Sequence, residues 1–282
     1  MTNSPLKKTW NSLEFTLDER KEIDRRYKSG ESVANLRKEF GVSETFLLNN
    51  SKRFPGEKIR YGKSLGVDEN VFSKQTPESS YWAGFLITDG SVDDNGVITL
   101  RLAEKDIDQI FAFKSFVKSE HKVCQKSIIT KSGKICGQAY IRFTAKKMAK
   151  DLEKYGIHPR KTYTAHAKEC NNRDFWRGVI DGDGCVMIPK TRKPKGYITP
   201  QKTFGTISMV GTYELCSQFL EFCKSNGINH NCNPRKHYDS FQASFSGKYV
   251  AYVAELLYND ACHALPRKAA RAKLIYDQIE HQ

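Results

Sequence analysis

Two stretches of this chain are copies of one another. YWAGFLITDGSV occupies residues 81–92 and FWRGVIDGDGCV occupies residues 175–186. Both read aromatic, Trp, x, Gly, apolar, apolar, x, small, Asp, Gly, x, Val. The copies start 94 residues apart, 81 against 175. Solenoid repeats have periods of roughly 20–50 residues, so a longer spacing requires two similar subdomains instead.

The segments after the two copies also correspond. After the first come a short hairpin, SVDDNGVITLRLAEKD, and a helix, DIDQIFAFKSFVKSE. In the hairpin Ile98, Leu100 and Leu102 alternate with Thr99 and Arg101, the period of a half-buried strand. A second hairpin comes next, in which Ile135, Ala139, Ile141 and Phe143 face one side and Gln138, Tyr140 and Arg142 the other. AKKMAKDLEKYGI closes the half as a helix. The second half repeats this order, with Phe241, Ala243 and Phe245 set against Gln242, Ser244 and Ser246. The expected fold class is α+β, a pseudo-twofold pair of αββαββα subdomains. Each sheet should bury its apolar face under helices and leave a polar, basic face open.

Gly84 and Thr88 lie four residues apart, as do Gly178 and Gly182. Small residues at that spacing share a helix face and let two backbones pack closely. If the two motif helices pack there, their C-terminal ends bring Asp89 beside Asp183. Two adjacent carboxylates repel, and a divalent cation stabilises them; oxygen ligands of this kind suit Mg²⁺. Asp-Gly-Asp-Gly alone is more often a turn or part of a calcium loop. No carboxylate follows Gly184 in CVMIPKTRK, which argues against the calcium loop.

Residues 16–53 differ in character. Thr16, Ser32 and Ser43 are placed as N-caps, Gly30 and Gly41 as helix ends, giving an all-α helix-turn-helix plan. SGESVANLRKEFGVSETFL resembles the small trihelical domains of transposases and invertases. That resemblance makes residues 43–53 a recognition helix, with Ser43, Thr45, Asn49, Lys52 and Arg53 meeting DNA. Residues 54–75 lose helical periodicity and read as a basic linker, in which Lys58 and Arg60 lie along phosphates or enter a groove, or which is equally a solvated tether. The expected domains are 1–53 (helix-turn-helix), 54–75 (linker), 76–170 and 171–282 (the two subdomains).

Charge agrees with a polyanion partner: 46 Lys and Arg against 32 Asp and Glu give a net charge of +14. No apolar run approaches the roughly 20 residues of a membrane span, and the N-terminus carries no signal-peptide core. The reading is a soluble intracellular protein, in cytoplasm, organelle or nucleoid. None of the eight cysteines is in a C-x-x-C pair, so they read as reduced, mostly buried thiols rather than zinc ligands.

WAGFLITDG (82–90) and WRGVIDGDG (176–184) resemble the paired signature helices of single-chain LAGLIDADG homing endonucleases, over residues 76–282. The resemblance implies a monomer that cuts both strands of a long, asymmetric duplex target across the minor groove, leaving short 3′ overhangs. It implies two or three Mg²⁺ ions at Asp89 and Asp183 with the adjoining Gly90 and Gly184; Ca²⁺ would bind without supporting cleavage. The family's earlier Asp is Ile87 in one copy and Asp181 in the other, a position that does not bind metal. By analogy Lys161 and Lys268, in the matching segments GIHPRKTYT and ALPRKAARA, would contact solvent or phosphate near the metals, with Glu104 in the same region. Base and phosphate contacts would come from Arg101, Gln138, Tyr140, Arg142, Arg235, Lys236, Gln242 and Ser244, and from Lys190, Arg192, Lys193, Lys195 and Lys202 in the basic loop. The alternative is a regulator or intron maturase on the same scaffold without cleavage; the presence of both acids favours catalysis.

Overall fold

A computed structural model describes residues 16–29, 31–42, 66–129, 133, 135–188 and 205–277. The chain divides into two units, Met1–Ser64 and Leu65–Gln282. Ser43, Thr45, Asn49, Lys52, Arg53, Lys58, Arg60, Lys190, Arg192, Lys193, Lys195 and Lys202 lie outside the described residues.

In the first unit α1 spans Leu17–Lys28 and α2 spans Val33–Phe40. Thr16 accepts the Glu19 N–H at 3.2 Å, and the Glu19 carboxylate accepts the Thr16 N–H at 2.8 Å, a reciprocal capping box. Ser32 accepts the Asn35 N–H at 3.2 Å, and Gly41 ends α2 at φ 69°, a left-handed conformation that suits glycine. Ile23, Leu36 and Val42 form a small core. Arg26 joins the helices by bonding Glu31 and Glu39, each at 2.7 Å.

The larger unit is built twice. Its first half contains α3 (Pro77–Asp89), β1 (Gly90–Val92), β2 (Val97–Ala103), α4 (Ile107–Phe116), β3 (Cys124–Ile129), β4 (Ile135–Thr144) and α5 (Lys146–Leu152). Its second contains α6 (Arg173–Gly182), β5 (Cys185–Met187), β6 (Thr206–Gly211), α7 (Tyr213–Ser225), β7 (Arg235–His237), β8 (Ser240–Ser246) and α8 (Lys248–Tyr258). A last helix, α9 (Pro266–Tyr276), closes it. The sheets are antiparallel, ordered β1-β2-β4-β3 and β5-β6-β8-β7. The repeat in the sequence is therefore a repeat in topology. Trp176 packs into its own half, 5.3 Å from the Phe219 ring of α7, while Trp82 lies 5.1 Å from the Phe113 ring of α4 and 4.9 Å from the His263 ring of the second half.

Cross-strand partners share a sheet face. Thr99 pairs with Arg142, Arg101 with Tyr140, and Gln138 with Lys126; these form the open face of the first sheet. Ile98, Leu100, Ala139, Ile141 and Phe143 form its buried face. Burial along β4 starts only at Ala139, and Ile135 at the strand's start is 68% exposed. In the second sheet Ser208 pairs with Ser244, Thr206 with Ser246, and Gln242 with both Val210 and Arg235.

Four expectations need correction. Lys236 pairs with Phe241, which puts it on the face of Ala243 and Phe245, and its ammonium stands 5.0 Å over the Phe241 ring. It is therefore not on the open face, because strand pleating turned it over. The second open face is also polar rather than basic among the described residues, with Arg235 its cation against hydroxyls and an amide. Residues 66–75, read as the end of the linker, are part of the body. Phe72 is 1% exposed with its ring 5.4 Å from Phe116, and Ser73 donates to Asp151 at 2.6 Å. Finally, all eight cysteines are free, but only Cys170, Cys216 and Cys223 are buried. No helix among the described residues is long and apolar enough to cross a membrane.

Candidate active site

The site sits where α3 and α6 end. Thr76 caps α3 and Pro77 starts it; Asn172 caps α6 by accepting the Phe175 N–H at 3.0 Å. The two helices then pack with their backbones in direct contact. A Cβ on Gly84 would overlap the Phe175 carbonyl, and a Cβ on Gly178 would overlap the Tyr81 carbonyl. Tyr81 and Phe175 are themselves equivalent in the repeat, so the contact is reciprocal about a pseudo-twofold axis. One turn later a Cβ on Gly182 would overlap the Thr88 hydroxyl and stand 2.9 Å from Asp89 Oδ2. The glycines thus lay Asp89, from the first half, against the last turn of the second half's helix, beside Asp183.

Four ionisable groups meet there. Asp89 is half-buried, and burial, then the Asp183 charge, pushes it up to about 7, opposed by Lys268 and Lys161. Asp183 is more exposed; it too is raised by desolvation, against the pull of Lys161 and Lys268. Lys161, 9% exposed in a short 3₁₀ turn (Lys161–Tyr163), is lowered by burial while Asp183 and Asp89 oppose the shift. Lys268 in α9 is lowered to about 8, chiefly by burial. A raised carboxyl beside a second carboxyl, both near lysines, is the electrostatic pattern of a functional cleft.

Lys268 is not a free cation. Its Nζ donates to the carbonyl oxygens of Ile180, Asp181 and Gly184, each at 2.7 Å, and of Gly182 at 3.0 Å. It therefore caps the C-terminal end of α6, and the Gly184 carbonyl is already engaged. Glu104 is not brought to the aspartates. It is exposed, accepts from Gln125 at 3.2 Å, and lies where a Cβ on Gly137 would stand, on the helix-facing side of the sheet. Asp106 sits closer to the centre and is held below the usual carboxylate range by a two-pronged bond to Arg267, both contacts at 2.9 Å. Sequence reasoning passed over it because its partner is 161 residues away.

A buried polar network lies behind the acids. Asp181 is 1% exposed and accepts the Tyr81 hydroxyl at 2.9 Å, the Tyr258 hydroxyl at 2.7 Å and the Leu265 N–H at 2.6 Å. Burial still raises it to about 6. Arg177, fully buried, donates to the carbonyls of His263 at 2.6 Å and Leu257 at 3.0 Å, and lies 5.4 Å over the Tyr81 ring. Asp181 thus bonds side chains from both halves, while its repeat equivalent Ile87 is apolar core.

An open groove beside Asp89 is lined by Thr88, Ser91, Thr99, Arg101 and Arg142. The guanidinium of Arg101 stands 5.8 Å over the Tyr140 ring. Ser91 and Cys185 are equivalent in the repeat and pair with Thr99 and Ser208. The registers then align Arg142 with Ser244, Arg101 with Val210 and Tyr140 with Gln242. Among the described residues, two arginines and Asp93 flank Asp89, whereas the equivalent sheet positions beside Asp183 carry no arginine.

The donor set fits a divalent ion of the Mg²⁺ kind. Asp89 and Asp183 are hard oxygen ligands, and among the described residues no cluster of three His, Cys, Asp or Glu forms. Mg²⁺ is ordinarily held by one or two carboxylates, with water and substrate phosphate completing the shell.

No family model and no curated protein matches the chain. Solved structures do. The homing endonuclease I-WcaI bound to its DNA recognition sequence matches at a TM-score of 0.50 and 12% identity, over 76% of this chain and 95% of that one. The I-SmaMI LAGLIDADG homing endonuclease bound to cleaved DNA matches at 0.48 and 12%, over 74% and 91%. Full-length DUF199/WhiA from Thermatoga maritima matches at 0.40 and 13%, over 75% and 65%. With two helix-and-sheet halves joined along a glycine-lined contact, the body of this chain has the fold of the LAGLIDADG homing endonucleases.

Proposed function

We propose that the protein is a site-specific double-stranded DNA endonuclease, hydrolysing one phosphodiester per strand and leaving short 3′ overhangs. The observation that carries this is the meeting of Asp89 and Asp183, one from each half, at the helix ends between two open sheet faces. One chain supplies both acids, so a monomer would suffice. Mg²⁺ held by Asp89 and Asp183 would supply an activated water and stabilise the leaving oxygen.

The chain's own residues do the rest. On the open sheet faces, Arg101, Arg142, Tyr140 and Gln138 in one half, and Gln242, Ser244 and Arg235 in the other, would read base edges in the major groove. Arg can bond guanine at two atoms and Gln adenine. Lys161 supplies positive charge beside the two acids, where the scissile phosphates would be drawn in. Because Val210 and Ser244 stand at the repeat positions equivalent to Arg101 and Arg142, the half-site under the first sheet would demand guanine more strictly than its counterpart. The helix-turn-helix module at residues 1–53 would extend the target, through Ser43, Thr45, Asn49, Lys52 and Arg53, with Lys58 and Arg60 of the following linker on phosphates.

The direct test is Asp183→Asn. The substitution keeps the side chain's size and removes its charge. Binding of the target should be retained and cleavage of at least one strand lost; unchanged cleavage of both strands refutes the site.

A further inference from the structure

The two copies of Pro-Arg-Lys deliver their lysines to the same centre but to different partners. An ammonium has three N–H donors. Lys268 Nζ has four carbonyl oxygens within 3.0 Å, those of Ile180, Asp181, Gly182 and Gly184. Its hydrogen-bonding capacity is therefore filled inside the protein, at 3% exposure. These carbonyls belong to the end of α6, where a helix leaves its last acceptors without partners and its dipole is negative. In α3 the corresponding end is closed by backbone, the Gly90 N–H donating to the Leu86 carbonyl. In α6 a side chain from α9 performs the closure, and it straddles Asp183 by bonding the carbonyls of the residues before and after it. Lys161 instead has the carboxylates of Asp183 and Asp89 as its charged neighbours.

We propose that Lys268 is a positioning residue that fixes Asp183 by holding the C-terminal turn of α6, and that the two strand-cutting centres are unequal for that reason. Lys268 does not touch the reacting phosphate; Lys161 is the lysine available to it. This rests on the endonuclease reading, yet one of its tests does not need cleavage.

The experiment compares the full chain with Lys268→Met and Lys161→Met. Amide hydrogen exchange without metal is read over residues 182–187 and, as control, residues 88–93. In Lys268→Met, exchange over 182–187 should rise at least tenfold, with 88–93 unchanged; Lys161→Met should leave both unchanged. On a supercoiled plasmid carrying the target, Lys268→Met should slow one strand at least tenfold more than the other, so that nicked circle accumulates. Lys161→Met should slow both strands alike. Unchanged exchange over 182–187 in Lys268→Met overturns the proposal, as does equal slowing of both strands. If the Met variant does not fold, Lys268→Gln, which keeps two N–H donors, takes its place with the same outcomes in smaller measure. A wild type that cuts no DNA would overturn the endonuclease reading alone, since the exchange result still decides the role of Lys268.

Discussion

Gly84 and Gly178 have backbone carbonyls of the opposite helix where a Cβ would stand, so a side chain there must move a helix rather than a flexible tip. Overpacking of this sort costs about 1–3 kcal/mol. Gly84→Ala should therefore lower the stability of the body in urea by that amount and loosen the acid pair; a midpoint equal to wild type would show that the helices are not in contact there. The acids predict a pH dependence as well. Asp89 is raised to about 7, so the folded chain keeps a proton that the unfolded chain has released by about pH 5. With more protons bound in the folded state, stability from this group falls as pH rises from about 4 to about 7. His121 and His263, lowered by burial, act in the opposite direction, so the group must be isolated by difference. Without metal, the melting temperature of wild type minus that of Asp89→Asn should fall between about pH 5 and about pH 7.5, and Mg²⁺ should reverse the fall. A difference that is flat or rises with pH contradicts the placement of Asp89.

The helix pair was readable from the sequence because the motif occurs twice: a single Asp-Gly is ambiguous, but two copies with glycines at matched offsets define a contact and its end. Strand alternation likewise fixed which of Thr99, Arg101, Tyr140 and Arg142 face outward. Other features depended on pairing that no local pattern reveals. Lys236 alternates plausibly within a short strand, and only its register with Phe241 turns it away. Asp181 meets Tyr258 and Leu265, 77 and 84 residues downstream, so its anchoring role had no nearby signal. Lys268 stands out in the repeated Pro-Arg-Lys, but the carbonyls it bonds are backbone atoms, which every residue carries, so its partners had no signature. The open faces make a prediction of their own. Arg101→Ala should weaken binding by about 1–3 kcal/mol and relax base preference at one position, as expected on losing a two-pronged base contact. Lys236→Ala should do neither; a target-selection profile altered by Lys236→Ala but not by Arg101→Ala would reverse the assigned faces.

The chain as a whole carries +14, and that excess sets its behaviour toward a polyanion. Target affinity should fall steeply with salt, log K against log[salt] losing roughly 0.9 for each phosphate neutralised. The two units suggest how the contacts divide. Removing residues 1–64, the whole first unit, should leave the body folded, shorten the DNase footprint at one end and lower the salt slope; an unaltered footprint would leave that unit without a part in DNA binding. The target itself has no signature in the sequence, because on the proposed reading base readout would depend on side chains spread over two sheets. All of this turns on whether the paired aspartates at the end of the helix contact cut DNA. The deciding measurement incubates the wild type and Asp183→Asn with fragmented genomic or randomised duplex DNA in Mg²⁺ and sequences the new ends. Paired breaks with short 3′ overhangs at one long asymmetric sequence are expected in the wild type, with at least one strand's break lost in the variant while binding persists. Tight, site-specific binding by the wild type with no break in either strand would contradict a nuclease centre at Asp89 and Asp183.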